Sequence, residues 1–100
     1  MTTTPGGFAF PIVHLNGTSG EELLDQVWRA EKAVRDLQQA LQGMSPNARD
    51  YYVDGPDAFR LAQTQHEARL KATLALQEEL FEIADKIAEQ LARRKEGMRP

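Results

Sequence analysis

"SGEELLDQVWRAEKAVRDLQQALQG", residues 19–43, decides the fold of this chain. Leu23, Val27, Ala30, Val34, Leu37 and Leu41 follow one another at spacings of 4, 3, 4, 3 and 4. That rhythm keeps one apolar stripe on one face of an α-helix for about 2.5 heptads. Both ends of the stretch carry boundary signals. Ser19 or Thr18 can cap the start, and Glu22 or Glu21 then stands three residues on, as a capping box requires. Gly43 suits the position after the last turn, and Pro46 prevents continuation. Leu24 and Trp28 lie beside the stripe and widen it, which suits packing against more than one neighbour.

A second helix is expected over residues 57–94. Asp57 can cap it after Pro56, and its apolar positions run Phe59, Ala62, Leu70, Leu74, Leu80, Ile83, Ala84, Ile87 and Leu91. Arg93, Arg94 and Lys95 stand where cations favour the negative end of the helix dipole. Between the helices, "SPNARDYYVDGP", residues 45–56, is a connection marked by Pro, Asn and Gly. The expected fold is all-α: a long antiparallel helical hairpin, one domain over residues 1–100. At 1.5 Å per residue the second helix spans roughly 55 Å and the first roughly 37 Å, an overhang of about 18 Å. Leu80, Phe81, Ile83 and Ile87 lie toward that overhang. Two helices share one face and enclose no core, so the expectation is a homo-oligomer, most simply a dimer forming a four-helix bundle.

Ahead of the first helix, residues 1–7, "MTTTPGG", read as a loose end. Residues 8–18 read as an extended arm: "FAFPIVHL" is apolar and β-branched, and must be covered by a helix or a partner. No basic segment precedes that apolar run, which also contains Pro11, so it does not read as a signal peptide.

Composition narrows the function classes. Apolar residues are 41% and charged residues 27%, a globular balance rather than a disordered one. The net charge of −3 argues against a general nucleic-acid or anionic-membrane binder. No cysteine is present, which excludes disulfides and thiolate metal sites, and two histidines are a poor basis for any metal site. No apolar stretch approaches the ~20 residues that span a bilayer. The expected place is the cytoplasm, with no cofactor.

Three groups of residues could carry function. His14, Asn16, Thr18 and Ser19 gather small polar groups at a helix start, where free N–H groups and the positive dipole end can seat a phosphate. Gly17 and Gly20 would allow close approach. The bland reading of this group is a cap. Arg49, Tyr51 and Tyr52 offer a cation and stacking faces, the needs of a nucleotide-like ligand; the bland reading is an Arg49–Asp50 pair with tyrosines covering the hairpin end. His66 falls on the inner stripe of the second helix with Arg69 three residues on, a position usual for a hydrogen-bonded core histidine. Enzyme chemistry is not expected, because no carboxylate is placed to orient His14 beside Ser19 or Thr18.

"FPIVHLNGTS" and "NARDYY", followed by His66 and Arg69, resemble a family of short proteins from bacteriophage and prophage genomes, over residues 8 to about 90. The family is mostly of unassigned function, so the resemblance implies a setting more than an activity, and no residue roles. Small helical phage oligomers include sponges that sequester nucleotide signals of bacterial immunity, an analogy of class alone. In that setting the expected function is non-enzymatic capture of a cyclic nucleotide or ADP-ribose derivative at subunit interfaces of an oligomer in the bacterial host. The alternatives are a phage accessory protein that docks a host protein through exposed apolar residues, and a morphogenesis protein with no ligand.

Overall fold

A computed structural model describes residues 9–97. The element order is α1 (Gly20–Gln42), two 3₁₀ turns (Ala48–Asp50 and Tyr52–Asp54), and α2 (Pro56–Gly97). The described chain is all-helical, and its two long helices accord with a helical hairpin. Phe8 and the loose end over residues 1–7 lie outside the described residues.

Boundaries follow from capping chemistry. Ser19 is the N-cap of α1: its Oγ accepts from the N–H of Glu22 at 3.1 Å, and its carbonyl accepts from Leu23 at 3.0 Å. The end of α1 differs from expectation. Gly43 does not take a left-handed conformation; among the described residues only Gly55 has positive φ. Instead the last turn tightens: Met44 and Ser45 donate to the carbonyls of Leu41 and Gln42, and the Ser45 hydroxyl donates to Gln42 as well. Helix α2 begins at Pro56 rather than Asp57. Proline has no N–H to leave unsatisfied, and it keeps the preceding residue out of the helical region. Gly55 meets that restriction at φ 97°, ψ 170°, and its carbonyl accepts from Ala58 at 3.3 Å. Asp57 sits inside the first turn, ion-paired to Arg60 at 3.1 Å.

By its contacts the chain falls into two compact units: Met1–Glu31 with Glu78–Pro100, and Lys32–Gln77. In the first unit, α1 packs against the later turns of α2. Ala84 and Ile87 are buried there, Ile87 completely. Gly20 is buried because a Cβ at that position would fall on the Leu91 side chain. Trp28 and Phe81 meet with ring centroids 5.9 Å apart, tilted by 57°. The segment before α1 is held by Gln90, whose Oε1 accepts from the N–H of Val13 at 2.8 Å and whose Nε2 donates to the Pro11 carbonyl at 3.0 Å. Lys86 lies 5.9 Å from the centre of the Phe10 ring.

These contacts correct the expected overhang at the start of α1. Gly20 is level with Leu91 and Trp28 with Phe81, so Phe81 and Ile87 stand opposite α1 rather than beyond it. In the second unit the surplus length of α2 lies at the connection end. Ser45, three residues past α1, already meets His66, and Tyr51 packs on Phe59 at 6.3 Å. The connection is two 3₁₀ turns, and it meets the first turns of α2 through Tyr51 on Phe59.

The interior of the second unit mixes polar and apolar groups: Val34, His66 and Thr73 are buried, and Leu41, Phe59, Ala62 and Leu70 are half-buried. Thr73 donates back to the Leu70 carbonyl at 2.7 Å, and the Gln38 amide donates to Gln77 Oε1 at 3.3 Å. Along α1 the inner positions are Leu23, Leu24, Val27, Glu31, Val34, Gln38 and Leu41, while Ala30 and Leu37 face outward. The inner stripe therefore shares Leu23, Val27, Val34 and Leu41 with the apolar stripe of the sequence, Leu23 being half-buried as Leu24 is. Glu31, 3% exposed, takes the inward place that Ala30 was expected to hold.

Candidate ligand site at the start of helix α1

The cap of α1 lies beside the last turns of α2. A cleft of about 340 Å³ opens there, and His14, Ser19, Gly20 and Glu21 line it together with Arg94 and Lys95. The N–H groups of Gly20 and Glu21 precede any intrahelical acceptor, so the positive end of α1 faces the same space as two cations. Glu21 is the one acidic lining residue. The arrangement can attract and orient an anion of phosphate type.

Both glycines line the cleft, and each also makes room for a neighbouring side chain. A Cβ at Gly17 would come 2.7 Å from His14 Nε2, so the glycine makes room for the imidazole to fold back over the turn. Gly17 also donates to the His14 carbonyl at 3.2 Å. Gly20 makes room for Leu91. Of the sequence-derived group, His14 and Ser19 line the cleft; Asn16 and Thr18 are exposed and do not.

Sequence reasoning missed Arg94 and Lys95 as site residues and read them only as complements to the dipole of α2. The missing signal was register. An assumed overhang carried the end of α2 past the start of α1, whereas the length taken up by the connection brings the two together.

The remaining candidates belong to the second unit. Arg49, Tyr51 and Tyr52 are exposed, and the Arg49 N–H donates to Asn47 Oδ1 at 3.2 Å. Arg69 is exposed on α2. His66 is 6% exposed, with Nε2 3.2 Å from Ser45 Oγ. A hydroxyl has one proton, and that of Ser45 goes to Gln42, 2.9 Å away. In the neutral ring this assigns the proton to Nε2, donating to Ser45. Nδ1 is then a bare acceptor, buried and without a partner. The structure thus brings His66 to Ser45 and Tyr51 to Phe59, while the α1-start group lies in a different unit from the loop group.

Among the described residues no three His, Asp or Glu side chains gather as a metal ion would require, and no helix is long and apolar enough to cross a membrane. No family model, no curated protein and no solved structure matches the chain, so the residues themselves carry the functional argument.

Proposed function

We propose that this chain is a non-enzymatic phage protein that sequesters a nucleotide-derived immune signal, a cyclic nucleotide or an ADP-ribose derivative, as a homo-oligomer in the bacterial cytoplasm. The observation that supports this reading is the convergence of Arg94 and Lys95 on the open N–H end of α1 in one cleft. At about 340 Å³ the cleft is at the lower end of the ~300–1,000 Å³ typical of small-molecule sites. It suits a phosphate with its sugar better than a whole dinucleotide. The base is then held by other groups, and the exposed Tyr51, Tyr52 and Arg49 of another protomer are the chain's own means of stacking it. His14 and Ser19 line the phosphate end, Asn16 and Thr18 stand in the exposed turn between them, and Arg69 is an exposed cation of the second unit. Sequestration at nanomolar affinity requires about −12 kcal/mol, which calls for both ends of the ligand to be engaged.

Titration calorimetry with ADP-ribose and with cyclic dinucleotides tests this. Arg94→Ala with Lys95→Ala is expected to weaken binding by about 10- to 100-fold, as the loss of two charge-assisted contacts implies. Unchanged affinity, or no binding of either ligand class to the parent protein, overturns the proposal. A second reading is favoured by the exposed Trp28–Phe81 pair: docking of a host protein on that patch. In that case nucleotides have no effect, and Trp28→Ala removes the function.

A further inference from the structure

Resting on the ligand reading above, we propose that Gln90 is a latch that governs entry to the cleft at the start of α1. It holds residues 11–13 as a strap along α2, and release of the strap opens one wall of the cleft while the helices stay packed. The geometry begins at one side-chain amide. Gln90 Oε1 accepts from the N–H of Val13 at 2.8 Å, and Nε2 donates to the carbonyls of Pro11 at 3.0 Å and Lys86 at 3.2 Å. These three partners fix which end of the amide is oxygen, since an N–H needs the acceptor and two carbonyls take the two protons. The bonds to residues 11 and 13 flank Ile12 as the peptide groups of a parallel neighbouring strand would. Gln90 thus grips main chain, and the Ile12 side chain between the two bonds stays 69% exposed.

Release of the strap gives up little. Residues 9–14 belong to no helix or strand; Phe10, Pro11 and Val13 are only half-buried, and Leu15 is 90% exposed. Other contacts hold α1 on α2: Gly20 against Leu91, and Trp28 against Phe81. A segment with few buried apolar contacts opens at a lower free energy than the helices it lies on. Its opening matters because the strap runs into the cleft. Val13 is both a partner of the latch and a lining residue, and His14 follows it on the same wall; Arg94 and Lys95 stand on the other. Gln90 lies one turn before Arg94 on the same side of α2, so one side chain sets the distance between the walls. Gln90 itself does not line the cleft. A ligand that touches both walls binds only the closed strap. Its apparent affinity then scales with the closed fraction, and its binding draws the strap shut.

Amide exchange of the full chain by NMR, without nucleotide, reads the latch. In the parent, the Val13 amide is expected to exchange about 100-fold faster than that of Ile87, yet at least about 10-fold slower than an unprotected amide. Gln90→Met keeps the bulk and helix propensity of the side chain and removes both bonds to the strap. It is expected to bring Val13 to the unprotected rate and to leave Ile87 within about threefold. Titration calorimetry with ADP-ribose and cyclic dinucleotides then reads entry to the cleft. Gln90→Met is expected to weaken binding about 10-fold, as a closed fraction reduced to about a tenth implies, and saturating nucleotide slows Val13 exchange in the parent. A Val13 amide that exchanges no faster than Ile87, or that Gln90→Met leaves protected, overturns the proposal. So does a strap freed by Gln90→Ala and not by Gln90→Met, since bulk rather than hydrogen bonding would then hold it. An affinity within about twofold of the parent when Val13 is free overturns it too. In each of these cases the parent still binds nucleotide and the cleft reading stands. A parent that binds neither ligand class overturns the cleft reading and the latch together.

Discussion

His66 shows how one residue can look like a site and act as a fastening. Its ring is buried on the inner stripe of α2, and its Nε2–H reaches the Ser45 hydroxyl just past the end of α1. The hydroxyl passes its own proton to Gln42, so the chain of donors runs from α2 to the last turn of α1. Removing the hydroxyl leaves a buried donor without a partner. Ser45→Ala is therefore expected to cost about 1–3 kcal/mol in urea unfolding. In a His66→Leu background the same substitution should cost nearly nothing, because the donor is gone. Equal costs in both backgrounds would show that Ser45 acts through α1 alone. The position of His66 on an apolar stripe was legible in the sequence. Its partner was not, because Ser45 stands in a connection whose path no periodicity describes.

At the scale of elements, helix lengths and caps were legible to within three residues, since they rest on local chemistry: Ser19 with Glu22, Pro56 after a glycine, Pro46 after the last turn of α1. Which face of α1 turns inward was not legible. The sequence stripe and the buried stripe share Leu23, Val27, Val34 and Leu41, yet Glu31 and Gln38 displace Ala30 and Leu37 from the interior. Gln38 and Gln77 sit where apolar residues would ordinarily pack, and a polar pair there sets register at a cost in stability. Leucine at both positions is thus expected to be neutral or stabilising by up to about 1 kcal/mol, while Gln38→Leu alone destabilises by about 0.5–1 kcal/mol by removing the donor to Gln77 Oε1. Denaturant midpoints of the single and double variants check this. A double variant less stable than the parent would show that the pair contributes net stability.

For the molecule as a whole, apolar burial is uneven. The first unit holds Ala84 and Ile87 in its interior and adds the Gln90 bonds to residues 11 and 13; the second buries Val34 and leaves Leu41, Phe59, Ala62 and Leu70 half-buried. Amide exchange should reflect this difference. Amides of residues 80–90 are expected to exchange about 10- to 100-fold more slowly than those of residues 58–66, although both lie in α2. Uniform protection along α2 in exchange mass spectrometry would show that the two units open together.

The sequence by itself determined that the chain is all-α, where its two helices begin and end, and which classes of site its composition rules out. These follow from interactions within a few residues: heptad spacing, capping hydroxyls and the backbone limits of proline and glycine. Only the tertiary structure decided the register between the helices, and with it that Arg94 and Lys95 join Ser19 in one cleft while His66 reaches Ser45. Register depends on how much chain the connection consumes and on which of two adjacent rows α2 covers, and neither quantity is local to any stretch of the sequence.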